Sequence, residues 1–178
     1  MKILFLDHDG VLCLSSEWGG RFNNEEGLDS IFDQFNKEAI EVLNEIIKKT
    51  DCEIVITSDW KLYAKLDQMK ELYKNRGVLK SPIDYTPDPE YTEDFKWYRQ
   101  YQYEQLRCLE VKTWLKKHPE VINWVAVDDM NLSSNYFFDY DGHRKYWGLD
   151  NFVCTPISNE GIKQKGVKEK IIDILNIS

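Results

Sequence analysis

The stretch Ile3-Leu4-Phe5-Leu6-Asp7-His8-Asp9-Gly10-Val11-Leu12 joins an apolar run directly to two carboxylates and a glycine. An uninterrupted apolar run of this length is typical of a strand that is buried on both faces of a parallel sheet. Asp7 and Asp9 follow the run closely, and Gly10 permits a sharp turn, so both acids can point into one crevice. A carboxylate in such a place can attack phosphorus, and a second one can protonate the leaving oxygen.

Two later apolar runs end in polar residues in the same way. Residues 54–56 are followed by Thr57-Ser58-Asp59, and residues 124–127 run into Asp128-Asp129. A further apolar run at 152–154 predicts a fourth strand. Because ligands of parallel sheets bind beyond the carboxyl ends of the strands, we expect these polar residues to meet the first motif at one edge.

Helices are predicted between these strands. Apolar residues at helical spacing over 39–47 form one stripe of a first helix. A second helix is expected from an N-cap at Asp59 to about residue 76, ended by Gly77. A third spans about 104–118, and a closing helix carries an apolar stripe over 167–175. This alternation predicts an α/β fold with a doubly wound, mostly parallel sheet that is covered on both faces.

Three segments are expected to connect this scaffold without belonging to it. Residues 13–35 predict an ordered loop, and residues 131–150 a loop rich in Tyr and Phe. Residues 81–103 combine prolines with many aromatic residues and predict an insertion, either a lid over substrate or a packing surface. With these segments included, residues 1–178 are predicted to form a single domain.

Composition narrows the classes of partner. The formal charge of −8 disfavours strong non-specific binding to nucleic acid and attraction to an anionic membrane. Nowhere does an apolar stretch approach the roughly 20 residues that span a bilayer, and the first apolar run is too short for a secretory signal. The scattered cysteines form no CxxC pair and are expected to be reduced, which indicates the cytoplasm. They are Cys13, Cys52, Cys108 and Cys154.

Four carboxylates at one edge of a sheet predict a metal site. Asp128 and Asp129 would add negative charge to the crevice of Asp7 and Asp9, and such groups repel one another unless a cation lies among them. Magnesium prefers oxygen ligands and retains water, so Mg²⁺ is the expected cofactor. The hydroxyl of Thr57 and the neighbouring backbone N–H could donate to a phosphoryl oxygen, with Ser58 as the alternative to Thr57.

The motifs and their order resemble the haloacid dehalogenase (HAD) superfamily of phosphatases. These carry DxDGVL, a strand ending in Thr or Ser, a basic residue and a late DD pair, whereas receiver domains have their acidic pair first. Four segments are similar to the small phosphatase-like domain of multifunctional bacterial RNA repair proteins. They are FLDHDGVL, VITSDWK, RCLEVKTWLKKHPEVINWVAVDD and TPISNEG. The resemblance covers nearly the whole chain. It implies the capless branch, because residues 12–53 hold only a loop and one helix.

The resemblance also implies a role for each acid. Asp7 would be the nucleophile and a magnesium ligand. Asp9 would be the general acid and base, with its backbone carbonyl on the metal. Asp129 would hold magnesium with support from Asp128, and Thr57 would bind the phosphoryl group.

The basic residue of the site is either Arg107 or Lys112. Arg107 heads the predicted buried stripe of the third helix, whereas Lys112 lies off that stripe, so Arg107 is preferred. Arginine keeps its proton and can grip phosphate at two points, although the family usually carries lysine there. Trp18 and Arg21 are possible substrate contacts, with loop anchoring and a solvated charge as the alternatives. His8 is expected to be packed or hydrogen-bonded beside the site.

The sequence therefore predicts a magnesium-dependent phosphomonoester hydrolase that works through an aspartyl phosphate. Its expected substrates are nucleotides or the terminal phosphates of nucleic acids. Two alternatives stay open: a small-molecule phosphatase of metabolism, and a catalytically silent binding module that has kept the fold.

Overall fold

The structure, a computed structural model, describes residues 1–20, 31–88, 102–133, 135–138 and 144–177. Strands and helices alternate along most of this part of the chain. In order they are β1 (Lys2–Leu6), α1 (Lys37–Thr50), β2 (Glu53–Ile56), α2 (Leu66–Asn75), β3 (Asp84–Tyr85), α3 (Gln102–Lys117), β4 (Asn123–Asp128), β5 (Asn135–Phe138), β6 (Arg144–Trp147), β7 (Phe152–Cys154) and α4 (Val167–Leu175).

Five of the strands form a parallel sheet in the order β3-β2-β1-β4-β7. β1 lies at its centre, and Leu6 is in register with Ile56 on one side and Val127 on the other. Because the strands run the same way, the residues that follow these three positions leave the sheet side by side. This arrangement confirms the predicted α/β fold with a mostly parallel sheet.

Alternate residues of the central strands bury against different helices. Leu4 and Leu6 belong to a core cluster that includes buried residues of α1, α2 and α4. Ile3 and Phe5 pack instead with Val111, Trp114 and other residues of α3. Since side chains of a strand alternate between its two faces, the sheet is covered on both sides, as a continuous apolar run predicts.

The expected helix from Asp59 to about residue 76 is wrong in its first half. Residues Asp59–Leu62 form a 3₁₀ turn that Ser58, not Asp59, caps through its side chain. The chain becomes extended at Lys65 before α2 begins, and Trp60 of the 3₁₀ turn is buried. The predicted end is confirmed: Gly77 has φ of 81°, and the N–H of Val78 donates to the carbonyl of Tyr73 at 3.0 Å.

Two short pairings were missed in the segments predicted as irregular. Asp84–Tyr85 pairs with Val55 and Ile56 as the edge strand β3, and a two-residue strand is too short to show any periodicity in sequence. Residues 131–150 contain the antiparallel pair β5–β6 instead of a plain loop. Residues 89–101, which carry most of the aromatic side chains of the predicted insertion, lie outside the described residues.

Neither a separate cap domain nor a membrane-spanning helix occurs in the described part of the chain. α1 and its preceding loop connect β1 to β2, as predicted. No described helix is long and apolar enough to cross a bilayer. The carboxyl edge of the sheet is therefore left to the loops that follow the strands.

Candidate active site

The polar residues predicted at strand ends lie together at the carboxyl edge of the sheet. The N–H of Asp7 donates to the carbonyl of Val127 at 3.1 Å, and the N–H of Thr57 donates to that of Leu6 at 3.0 Å. Asp128 ends β4 and pairs with Cys154 of β7. The sheet register thus places Asp7 between Thr57 and Asp128.

Three carboxylates form a tight group at this edge. Asp7, Asp128 and Asp129 each offer one oxygen, and these atoms all lie within 4.8 Å of one another. Burial raises the pKa of Asp7 to about 6, against the opposing effect of the Arg107 guanidinium. Burial and the charge of Asp7 raise the pKa of Asp128 well above its usual value. Burial therefore disfavours the ionised form of these acids, and the guanidinium offsets part of that effect.

The residues present fit a hard cation such as magnesium. Oδ2 of Asp128 is buried and accepts no hydrogen bond from the described residues. Its nearest cationic atom is Nη1 of Arg107 at 3.8 Å, beyond hydrogen-bonding distance. A buried carboxylate oxygen without a donor, in a group made of carboxylates alone, has the chemistry of a magnesium ligand. The carboxylate of Asp9 is outside this group; its predicted contact with the metal was through its backbone carbonyl.

Gly10 allows Asp129 to approach the turn after β1. Its φ of 69° lies in the left-handed region, and a Cβ added there would meet Oδ2 of Asp129 at 2.5 Å. A side chain at this position would therefore both strain the backbone and displace the carboxylate. The glycine predicted as a turn residue is also what lets the two loops come together.

Arg107 lies inside the site, whereas Lys112 is exposed. Its Nη1 donates to Oδ1 of Asp7 at 3.3 Å and also to the carbonyl of Thr57, and its Nη2 donates to Oδ1 of Asp59 at 3.0 Å. α3 crosses the sheet face next to β1, so its buried stripe brings the guanidinium over the carboxyl edge. Three separate acceptors fix the plane of this group.

Asp9 and His8 point in different directions from the same turn. Asp9 is exposed, and its Oδ2 accepts a hydrogen bond from the indole N–H of Trp60 at 2.9 Å. His8 is fully buried, and its Nε2 is 2.7 Å from the hydroxyl of Tyr73. Burial lowers the pKa of His8 well below its usual value, so the ring is neutral. The expectation that His8 is packed and hydrogen-bonded is confirmed.

An open cavity of about 430 Å³ lies beside Asp9. Four of the six residues that line it are aromatic or aliphatic, and the other two are acids. The lining residues are Asp9, Ile31, Phe32, Asp59, Trp60 and Tyr63. The buried carboxylates thus lie on the closed side of the site, and Asp9 lies on its open side.

The remaining predicted residues lie in different surroundings. Thr57 is buried after β2, and the Ser58 hydroxyl accepts from the N–H of Trp60 at 3.4 Å as a helix cap. Trp18 is half exposed, and its indole N–H donates to the carbonyl of Cys13 at 3.3 Å, which anchors the loop. Arg21 lies outside the described residues.

Sequence reasoning missed Thr155 and Trp60. The hydroxyl of Thr155 donates to the carbonyl of Gly10 at 3.2 Å, and its N–H donates to the carbonyl of Asp128 at 2.9 Å. Its position directly after the fourth predicted strand was the available signal. Trp60 gave no such signal, because its contact with Asp9 joins residues 51 positions apart.

The comparison with known families agrees with this arrangement. A family model described as the HAD domain in Swiss Army Knife RNA repair proteins matches residues 3–155. The chain belongs to this family. The matched region runs from β1 to Thr155 and so includes every strand of the parallel sheet. The predicted resemblance is confirmed, and membership of this family makes the chain a HAD-superfamily hydrolase. No curated protein and no solved structure matches it.

Two glycine variants separate backbone strain from the contact with Asp129. Gly77 has φ of 81° and open space around its Cα, so Gly77→Ala should lower the free energy of unfolding by about 1–2 kcal/mol through left-handed strain alone. Gly10→Ala should lower it further, because its Cβ also overlaps the Asp129 carboxylate. Urea unfolding of the two variants measures the difference, and equal losses would contradict the crowding at Gly10.

Proposed function

We propose that this HAD domain is a magnesium-dependent phosphomonoester hydrolase that forms an aspartyl phosphate on Asp7. The observation that carries the proposal is the meeting of Asp7, Asp128 and Asp129 with the guanidinium of Arg107 at the carboxyl edge of the sheet. A buried nucleophilic carboxylate, an oxygen-ligand cation site and a fixed cationic group are the parts that phosphoryl transfer needs.

The reaction proceeds in two displacements at phosphorus. A carboxylate oxygen of Asp7 forms a bond to phosphorus while the bond to the leaving oxygen breaks, and Asp9 gives that oxygen a proton. A water molecule then attacks the phosphorus of the aspartyl phosphate, and Asp9 takes its proton. Inorganic phosphate leaves, and the Asp7 carboxylate is restored. The exposure of Asp9 supports this role, since water and leaving group must both reach it.

Asp7, Asp128 and Asp129 would hold the magnesium ion, together with the backbone carbonyl of Asp9. Bound there, the ion would keep Asp7 ionised and reduce the repulsion between that nucleophile and an anionic phosphate. Support comes from the raised pKa values of all three acids, each with burial as its largest cause. Each of these acids becomes easier to ionise beside a divalent cation.

Arg107 and Thr57 would bind the phosphoryl oxygens. The guanidinium is already held by Asp7, Asp59 and the Thr57 carbonyl, so little freedom is lost when phosphate binds. The Thr57 hydroxyl is the neighbouring donor, with Ser58 occupied in part by its cap. Trp18, which is half exposed, and Arg21 are two further candidates for contact with the substrate.

The proposed substrates are nucleotides or the phosphorylated ends of nucleic acids. The family is named for RNA repair proteins, and the cavity beside Asp9 is lined by Phe32, Trp60 and Tyr63. Its acids Asp9 and Asp59 disfavour a second phosphate in that cavity and favour an uncharged flat group. The cysteines are free thiols, which supports a reducing compartment such as the cytoplasm.

The nucleophile is tested by Asp7→Asn. An amide cannot attack phosphorus, so phosphatase turnover should fall by more than the about 10²–10⁴-fold that loss of acid–base help causes. Asp67→Asn, an exposed change on α2, is the matched control and should retain activity. Turnover by Asp7→Asn within tenfold of the wild-type rate would exclude Asp7 as the nucleophile.

Metal binding is tested without turnover. Magnesium should raise the melting temperature of the wild-type chain, because a ligand at 100 times its Kd stabilises the folded state by about 2.7 kcal/mol. Asp129→Asn should lose most of this increase, and Asp67→Asn should keep it. If EDTA leaves both the melting temperature and the activity of the wild-type chain unchanged, the metal site is wrong.

Substrate class is tested by comparing phosphates of different leaving groups. We expect a higher kcat/KM on a nucleoside monophosphate or a 3′- or 5′-phosphorylated oligonucleotide than on a sugar phosphate. Tyr63 is largely exposed on the cavity wall, and base stacking contributes about 1–3 kcal/mol per base. Tyr63→Ala should therefore lower kcat/KM on the nucleotide substrates and leave kcat/KM on the sugar phosphate unchanged. Equal or better efficiency on the sugar phosphate would favour a phosphatase of small-molecule metabolism.

A further inference from the structure

Trp60 connects the hydrophobic core to the proposed acid of the reaction. Its indole N–H donates to Oδ2 of Asp9 at 2.9 Å, although Trp60 is only 5% exposed and Asp9 is exposed. An exposed aspartate can adopt several rotamers, and each would present its oxygens differently to a substrate. A hydrogen bond from a buried donor restricts that choice.

The position of the indole is fixed on several sides. Its ring stacks on Phe32 with centroids 4.5 Å apart and an interplanar angle of 14°. Phe35 and His8 also pack against it, at 5.7 Å and 4.6 Å between centroids. The Ser58 side chain accepts from its backbone N–H. The donor that meets Asp9 is therefore held by core packing and by a helix cap.

The hydrogen bond from the indole makes the two oxygens of Asp9 unequal as sites for a proton. An indole N–H donates and cannot accept, so the oxygen bonded to it must act as an acceptor. The carbonyl oxygen of a neutral carboxyl group is a better acceptor than its hydroxyl oxygen, so this bond favours the proton of neutral Asp9 on Oδ1 over Oδ2.

We propose that Trp60 is a positioning residue that aims Oδ1 of Asp9 at the leaving oxygen. This inference rests on the proposed hydrolysis. In the first displacement the bond between phosphorus and the leaving oxygen breaks, and that oxygen takes the proton from Oδ1. In the second, the bond between water oxygen and phosphorus forms, the bond between phosphorus and the Asp7 oxygen breaks, and a proton of the water goes to Oδ1. Throughout, Oδ2 stays bonded to the indole.

The chain contains a matched bond away from the site. The indole N–H of Trp114 donates to Oδ2 of Asp84 at 2.7 Å, and Trp114 is 2% exposed. Trp114 belongs to the core cluster between the sheet and α3, whereas Trp60 belongs to the cluster on the other face. Trp114→Phe therefore removes the same kind of hydrogen bond without touching Asp9.

The test varies the leaving group, because only a poor leaving group needs a proton. The full chain, Trp60→Phe, Trp60→His and Trp114→Phe would be assayed with 4-nitrophenyl phosphate and with a primary alkyl phosphate. Trp60→Phe keeps a ring and loses the donor. Trp60→His restores a donor, since the five-membered rings of histidine and indole superpose with Nε2 at the place of Nε1.

Trp60→Phe should lower kcat/KM on the alkyl phosphate by at least about tenfold, within the 10²–10⁴-fold limit of losing acid catalysis, because kcat/KM covers only the steps up to departure of the leaving group. Its kcat/KM on 4-nitrophenyl phosphate should stay within about threefold, since that leaving group departs as an anion. Trp60→His should recover part of the loss on the alkyl phosphate. Trp114→Phe should change both rates by the same small factor.

If Trp60→Phe lowers kcat/KM equally on both phosphates, or if Trp60→His recovers none of the loss, the positioning role is overturned. If Trp60→Phe does not fold, NMR can compare the indole N–H resonance of Trp60 between the wild-type chain and Asp9→Ala. An unchanged chemical shift would show that the indole does not donate to Asp9. Asp7→Asn distinguishes a failure of the proposed hydrolysis from a failure of the role proposed for Trp60. Full turnover by that variant would reject the hydrolase mechanism itself. Loss of turnover by Asp7→Asn, together with an equal fall in kcat/KM on both phosphates in Trp60→Phe, would reject only the role of Trp60.

Discussion

The site depends on the contacts of the buried Arg107 guanidinium with the carboxylates of Asp7 and Asp128. It lies 3.3 Å from Asp7 and 3.8 Å from Asp128, both of which are almost completely buried, and Asp129 adds a third carboxylate within the same group. Burial is the largest cause of the raised pKa values of all three acids, neighbouring acids raise them further, and the guanidinium offsets part of this for Asp7 and Asp128. Burying these groups together therefore destabilises the folded chain. A divalent cation bound there would offset this cost.

The sheet makes this crowding possible because its register is fixed by core packing. Leu4 and Leu6 face one helical layer, and Ile3 and Phe5 face the other, so a slip of one residue would reverse both faces. The same register that buries these side chains aligns Asp7 with Thr57 and Asp128. Burial of apolar surface, about 25 cal/mol per Å², thus holds together charges that would otherwise separate.

Much of the fold and of the candidate site could be predicted, because both repeat one signal. Each apolar run predicted a strand, and the polar residue after it predicted a member of the site, which located Asp7, Thr57 and Asp128. Arg107 followed from its place on a helical stripe. What depends on single contacts between distant residues could not be predicted in this way. The cap at Ser58 in place of Asp59, the two-residue strand β3 and the bond from Trp60 to Asp9 all belong to that kind.

The two sides of the site differ in a way that orients the proposed substrate. Asp7 and Arg107 lie on the buried side, whereas Asp9 lies at the mouth of the open cavity. In an in-line displacement the attacking and leaving oxygens lie on opposite sides of phosphorus. The phosphoryl group would therefore enter first, towards Asp7, and the rest of the substrate would remain in the cavity beside Asp9. Because Trp60 both lines that cavity and donates to Asp9, the wall that would contact the leaving group would also position the acid that protonates it.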